Sequence, residues 1–413
     1  MTDTLAGPVD LADPDTFGDG VPHDALAELR RSDPVHWQPM SGEPGFWAVL
    51  GHSDVVRVSR RPEIFSAAAG GITVEDVGPE TLQRVRQMLL AMDPPRHGAH
   101  RGPLSSHFRP KMIAELESRV RDICRGIMAE AAERAEVEFV GDVAAELPSR
   151  MIGELFGLPV QDWEYLRRLA ERITAAQDPD LGNPDGGSAT GGAEMAQYAM
   201  ELAARRRRTG LGDDLTGAIL GAQFGDGPMT DAEFGGFFVQ LVTAGNDTTK
   251  GMLSAGLLTL LRHPDQLAEL RADPTLLPFA VEEILRYDNP LHYFRRTATV
   301  DTELSGTVIR AGDKVALYYT SANRDEQVFA DPQRFDIRRS PNPHLSFGMG
   351  THFCLGAHLA RLEGRVFFAE LLRAFPRIDL IGHPVRIRSN LNNSLKRLPI
   401  RLRTADRRPE RPG

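Results

Sequence analysis

Ten residues near the C-terminal end constrain this chain more than any others: Phe347-Gly348-Met349-Gly350-Thr351-His352-Phe353-Cys354-Leu355-Gly356. They place one of the two cysteines among glycines, directly before a segment, Ala357 to Glu363, that reads as helix. Glycine tolerates φ > 0 and close backbone approach, so amide N–H groups can turn toward the sulfur. The start of a helix adds a positive dipole end, which lowers a thiol pKa and favours the thiolate. A sulfur placed this way reads as a ligand for a metal. The competing reading is a structural cysteine packed in a glycine-rich turn. A zinc site from His352, Cys354 and His358 is weak, because structural zinc takes four ligands, usually paired cysteines, and only Cys124 remains.

The pattern Phe-Gly-x-Gly-x-His-x-Cys-x-Gly resembles the haem-ligand loop of the cytochrome P450 family at every defined position. The resemblance implies a mainly α fold with a small β-rich part, built as a single P450 domain over residues 21–403. Residues 1–20 are then a loosely held lead-in and 404–413 a disordered tail. It implies haem b bound through the Cys354 thiolate, whose electron donation favours O–O cleavage. Phe347 and Gly348 belong to the same loop and to the cofactor's surroundings.

Three further stretches carry chemistry. In Met92-Asp93-Pro94-Pro95-Arg96-His97-Gly98-Ala99-His100-Arg101, His97 and Arg101 fall at i and i+4 on one helical face. By itself such a pair reads as a solvated face. The resemblance places both at propionate-binding positions, with Arg296 and His352 at two more, while Ala99 stands where the family often has another Arg.

A long apolar helix over 230–262 opens on Thr230-Asp231-Ala232-Glu233, the pattern of an N-cap with early acids. It carries Ala244-Gly245-Asn246-Asp247-Thr248-Thr249 in its middle. A glycine and back-bonding threonines favour a local opening there, and an acid inside an apolar helix is costly unless used or hydrogen-bonded. The bland alternative is a threonine capping its own backbone beside a solvated acid. The resemblance gives Asp247 a proton-relay role and has Thr248 hold dioxygen and water.

Glu283 and Arg286 form an i, i+3 pair. The resemblance joins them to a second arginine, Arg334 in the turn Asp331-Pro332-Gln333-Arg334-Phe335, as a structural network behind the cysteine loop. Cys124 reads as a core residue. Gln177 to Gly192, rich in Asp, Gly and Pro, reads as a mobile loop, and the resemblance makes the two helices it joins a lid over the pocket.

Forty-one per cent apolar and 25% charged residues describe an ordinary globular chain, and the formal charge of −9 argues against a nucleic-acid partner. Two cysteines give no disulfide framework. Met1 to Leu5 lacks the basic start of a signal peptide, and no apolar run reaches membrane-spanning length. The expectation is therefore a cytoplasmic protein without a membrane anchor, taken as a monomer.

The activity the resemblance implies is a monooxygenase acting with O2 on a hydrophobic small molecule such as a steroid, terpenoid or lipid. A ferredoxin, or a flavodoxin, would supply electrons from NAD(P)H, steered by basic residues around Arg101, Arg109, Lys111, Arg119, Arg121, Arg361 and Arg365. Phe237, Phe238, Leu241, Val242, Ala244, Leu291 and Leu395 are candidates for an apolar pocket. Tyr293, His292, Asn392 and Asn393 are candidates for polar contacts within it. A peroxide-driven enzyme would usually lack the Asp247–Thr248 pair, and a non-catalytic haem carrier or sensor has no use for one.

Overall fold

The computed structural model describes residues 9–182, 187–225 and 227–404. Its axis is a 32-residue helix, Asp231–Arg262, against which six other α-helices pack. The helix starts where the sequence says it should. The Thr230 hydroxyl accepts from the Glu233 N–H (3.2 Å) and the Glu233 carboxylate accepts from the Thr230 N–H (2.9 Å), a capping box that satisfies two otherwise orphaned donors. Its interior, from Phe234 to Leu260, is buried on nearly all sides. A helix apolar all round can only be stable inside a protein.

Around it lie Glu117–Arg134, Glu146–Leu155, Val160–Thr174, Gly187–Thr209, Leu277–Tyr287 and Ala357–Ala374. Gly187–Thr209 begins inside the stretch expected as loop, and residues 183–186 lie outside the described residues. Cys124 is fully buried among Val120, Ile127 and Met128, and burial pushes its thiol pKa up, as suits an inert core residue.

The β-rich part is small. A five-stranded sheet runs in the order Val35–Gln38, Phe46–Val49, Lys314–Tyr318, Tyr293–Ala298, Phe65–Ser66, and is antiparallel except where Lys314–Tyr318 meets Phe46–Val49. A three-stranded sheet joins Arg377–Leu380, Pro399–Arg403 and Glu136–Glu138.

The N-terminal lead-in is not loosely held over its described part. Leu11 and Phe17 are 0% and 2% exposed, and Leu11 bonds by its N–H to Gln38 (3.0 Å) and by its carbonyl to the Tyr318 hydroxyl (3.1 Å). Two apolar anchors ten or fewer residues from the first described one outweigh the Asp- and Pro-rich composition around them. The expected tail after Thr404 lies outside the described residues.

A charged cluster fixes the approach to the cysteine loop. Glu283 is 0% exposed and receives the Nε and Nη2 hydrogens of the Arg286 guanidinium at 2.8 Å each, the Asp336 N–H at 2.8 Å, Arg339 at 3.1 Å and Asn342 at 3.1 Å. The second arginine is thus Arg339. Arg334 contributes only its carbonyl, which accepts from Arg286 (3.1 Å) and Arg339 (2.9 Å), while its side chain points to solvent. From there Asn323 accepts from the Leu345 N–H (2.7 Å) and donates to Ser346 (2.9 Å), so the network ends at the first residues of the loop.

Candidate active site

One cavity gathers the chemistry. It is lined on one side by the cysteine loop from Ser346 to Gly356 and on another by the central helix at Leu241, Ala244, Gly245 and Thr248. Cys354 lies within the fold yet is exposed, because its accessible surface faces the cavity. The loop owes its path to glycine. Gly348 and Gly350 sit at φ +67° and +68°, and a Cβ on Gly350 would come within 2.6 Å of the Ser59 carbonyl. The Cys354 N–H donates back to the Phe347 carbonyl (2.8 Å), and the Gly356 N–H is aimed at the Cys354 sulfur.

Burial nevertheless outweighs the helix start at this thiol. It raises the Cys354 pKa, against the opposing pull of the Gly356 N–H and of the Arg101 and Arg361 charges. The helix itself begins only at Ala357, which leaves its dipole three residues from the sulfur. Phe347 packs under the Arg361 guanidinium, 4.5 Å from its ring centre.

His97, Arg101, Arg296 and His352 also line the cavity together. The His97 and His352 rings lie 4.6 Å apart, and the Nε2 atom of each is buried without a hydrogen-bond partner among the described residues. Burial, reinforced by Arg101, lowers the His97 pKa to about 4, and burial with the Arg296 charge lowers that of His352 to about 2. Arg101 and Arg296 are likewise lowered by burial. Asp93, the carboxylate whose charge acts on both His97 and Arg296, is already occupied by the Ala67 N–H (2.8 Å) and the Ser66 hydroxyl. Arg296 donates to the Arg295 carbonyl (2.8 Å), but no carboxylate among the described residues pairs with these four side chains, and cationic and donor groups gathered in this way fit an anionic group with several oxygens. A haem, with two carboxylates at one edge and an iron for the sulfur, matches this donor set. Among the described residues no group of three or more His, Cys, Asp or Glu could hold a bare metal ion, which removes the zinc alternative.

The central helix does not open at Gly245. Residues 231–262 form one continuous helix, with the Thr248 hydroxyl bonded to the Ala244 carbonyl (2.6 Å). The glycine serves packing, since a Cβ there would stand 2.7 Å from Ile152. Thr248 lines the cavity, but Asp247 points away from it. Asp247 pairs with Lys250 (2.7 Å) and accepts from the Thr174 hydroxyl, and Lys250 reaches on to Glu171 (3.0 Å). Burial opposes charge on Lys250, yet the two carboxylates raise its pKa overall. At the cavity wall beside Thr249, Glu363 is buried without a cation. Burial raises its pKa to about 8, and the Thr249 hydroxyl donates to it at 3.3 Å.

Several pocket candidates lie elsewhere. Phe237, Phe238 and Val242 are buried in a core cluster with Phe156 and Leu166 and do not line the cavity, with Phe237 against Phe224. Leu395 belongs to the main core. Tyr293 accepts from the Val74 N–H (3.2 Å) and donates to Asn390 (3.4 Å), and His292 stacks on Phe17 at 4.2 Å. Asn393 bonds to the Asn289 carbonyl (2.9 Å), and Asn392 bridges Leu291 by its backbone. The turn 389–394 therefore braces the cavity wall at Leu291 from behind. Leu89, Leu90, Ile152, Gln240 and Phe294, which the sequence did not single out, line the cavity in their place.

The fold and site together define a helical protein built around a cysteine that faces an enclosed, largely apolar cavity with an anion-accepting edge. The comparisons agree. A family model described as Cytochrome P450 matches residues 193–380. A methyl-branched lipid omega-hydroxylase of Mycobacterium tuberculosis is 40% identical over 394 residues, 92% of this chain and 91% of that protein. A steroid C26-monooxygenase of Mycolicibacterium smegmatis is 36% identical over 386 residues, 91% of this chain and 89% of that one. The solved structure of a Mycobacterium marinum cytochrome P450 in complex with pseudoionone superposes with a TM-score of 0.90 at 38% identity, covering 95% and 98% of the two chains. The chain belongs to the cytochrome P450 family, and it is a monooxygenase of that family. No helix among its described residues is long and apolar enough to cross a membrane.

Proposed function

We propose that this chain holds haem b through Cys354, with His97, Arg101, Arg296 and His352 taking the propionates, and inserts one oxygen atom from O2 into a lipid-like small molecule. The observation that carries this is the meeting, in one apolar cavity, of the Cys354 sulfur with Arg101, Arg296 and the orphaned Nε2 atoms of His97 and His352. Bound haem supplies the reduction and splitting of dioxygen. The residues of the chain supply the rest. Leu89, Leu241, Ala244, Leu291 and Phe294 bind and orient an apolar molecule and exclude water beside Thr248.

Asp247 is placed to move protons. It is one residue from Thr248 and connects through Lys250 to Glu171, which is 26% exposed. A swing of its carboxylate from Thr174 toward the cavity would pass a proton from that chain to the Thr248 hydroxyl. The substrate class follows the lipid and steroid names of the relatives together with the apolar lining.

Electrons come from an acidic partner, a ferredoxin before a flavodoxin. Arg119, Arg121 and Arg361 are neutralised by Glu154, Glu117 with Glu370, and Glu282, whereas Arg109, Lys111 and Arg365 have no ion-pair partner among the described residues. These three are the residues left to steer such a partner.

The reduced protein with carbon monoxide should give the absorbance band for which the family is named, and Cys354→Ala should abolish it. A band that survives the substitution overturns the ligand assignment. Turnover with ferredoxin, its reductase and NADH, set against hydrogen peroxide alone, separates a monooxygenase from a peroxygenase and from a haem carrier. Asp247→Asn should lower turnover by about 10²-fold while leaving the carbon monoxide band unchanged.

A further inference from the structure

The wall that the central helix presents to the cavity is nearly all spoken for in hydrogen-bonding terms. Thr248 donates to the Ala244 carbonyl at 2.6 Å and Thr249 donates to Glu363 at 3.3 Å, so neither hydroxyl hydrogen is free. Leu241, Ala244, Gly245 and Met252 offer no side-chain donor. Gln240 differs. Its Oε1 accepts the N–H of Leu90 at 3.1 Å. A backbone N–H can only donate, so the amide oxygen must face Leu90 and the orientation of the side chain is fixed by chemistry. The NH2 group is then a pure donor, and it has no partner among the described residues. Both Gln240 and Leu90 line the cavity, so this donor stands at an otherwise apolar wall. Gln240 is half-buried, and once an apolar molecule in the cavity shuts its NH2 off from water, leaving that group unmet costs free energy that an oxygen of the same molecule recovers.

Gln240, Ala244 and Thr248 recur at i, i+4 and i+8 on one face of the helix. Eight residues at a rise of ~1.5 Å put Gln240 about 12 Å along the helix from Thr248. We infer that Gln240 is a specificity-determining residue: its amide NH2 takes an oxygen acceptor of an otherwise apolar substrate, about 12 Å from the carbon oxidised beside Thr248. With C–C bonds of ~1.5 Å in a zigzag, that span corresponds to an extended chain of roughly nine or ten carbons. The inference rests on the reading of the cavity as the site of an apolar substrate, and it adds to that reading a polar handle and a length. The Leu90 contact also means that the same side chain ties the segment Leu89–Ala91 to the central helix.

The test uses the haem-loaded enzyme and the substrate-induced shift of its Soret band, with 2-dodecanone and dodecane as probes, both delivered from cyclodextrin at pH 8. Wild type should bind the ketone about three- to ten-fold more tightly than the alkane. Gln240→Met should erase that preference through weaker ketone binding. Gln240→Glu keeps an oxygen for the Leu90 N–H and replaces the donor by an acceptor, so it should bind the ketone no better than the alkane. Equal affinity of wild type for both probes overturns the inference alone. So does an equal loss for both probes in Gln240→Met beside a wild-type preference in Gln240→Glu, because the residue would then only brace Leu90. A wild-type enzyme whose spectrum moves with neither probe overturns the reading of the cavity, and the inference with it.

Discussion

Two sets of charged side chains lie out of water in this molecule, and they are built on opposite rules. Around Glu283, every strong donor has an acceptor: Arg286, Arg339, Asn342 and the Asp336 N–H converge on one carboxylate, and the remaining guanidinium hydrogens go to the carbonyls of Asn323, Pro332 and Arg334. At the cavity edge, His97, Arg101, Arg296 and His352 crowd together with no such convergence, and two ring nitrogens are orphaned. The donors of the first set are met within the chain, with the Asn342 Oδ1 acceptor its one orphaned atom, and the set holds the backbone that leads into the cysteine loop. The second is complete only with something the chain does not encode. A closed polar network reads as architecture and an open one as a site, because a buried polar group without a partner costs about 1–3 kcal/mol and has to be offset by a ligand.

The sharpest way to break this contrast is to remove the centre of the closed set. Glu283→Ala leaves two arginines without their carboxylate partner, and should cost about 3–5 kcal/mol in denaturant unfolding, with haem content falling in parallel. A variant of wild-type stability that merely altered substrate preference would reverse the assignment.

Glu363 tests the intermediate case, an acid sealed away without a cation. Its folded pKa of about 8 lies above the ordinary carboxylate value of 4.5, so the folded state binds the extra proton. Between these two values the folded state therefore holds more protons than the unfolded one, and stability declines as pH rises from about 4.5 to about 8. Glu363→Gln should remove this part of the decline. It should be more stable than wild type by on the order of 3 kcal/mol at pH 9, with the difference shrinking toward pH 5. Parallel pH profiles for the two proteins would refute the sealed-acid reading.

The open set should respond in the reverse sense. Arg101→Met or Arg296→Met removes a charge at the cavity edge that no carboxylate among the described residues pairs with, so the unfolding free energy of the haem-free protein should stay unchanged or rise. Haem affinity should fall by about 1.5–3 kcal/mol for each substitution, read by transfer of haem to apomyoglobin. A haem-free protein that loses stability instead would make the arginine structural.

The smallest effect belongs to the surface. Reversing charge at Arg109 and Arg365 should slow reduction by ferredoxin several-fold at low salt and little at high salt, since exposed charges act mainly on encounter rates. Stopped-flow reduction across a salt series would show it, and a rate independent of salt would remove these residues from the docking surface.

The cysteine loop, the capping box at Thr230 and the helix over 230–262 could be read from local chemistry, because each depends on residues within a few positions of one another. The cationic edge could be named only in part. His97 and Arg101 share a helical turn, but Arg296 and His352 reach them from elsewhere in the chain. The choice of Arg339 over Arg334 turned on which side chain of one short segment faces inward, and spacing carries no record of that. Gln240, Glu171 and Glu363 were not visible, since a polar residue in a helical pattern looks the same whether it faces water, a core or a cavity. Phe237, Tyr293, Asn392 and Leu395 were placed in the cavity for their chemistry and lie outside it for reasons of orientation.

The sequence by itself determined that Cys354 would sit in a glycine-shaped turn before a helix, and that an acid–alcohol pair would lie within a buried helix. Those features rest on backbone freedom and hydrogen bonds that span a few residues. Only the tertiary structure decided that Asp247 faces Lys250 and Thr174 rather than the cavity, and that burial raises the Cys354 pKa despite the Gly356 N–H. Burial and pairing are sums over every neighbour, and most neighbours arrive from distant parts of the chain.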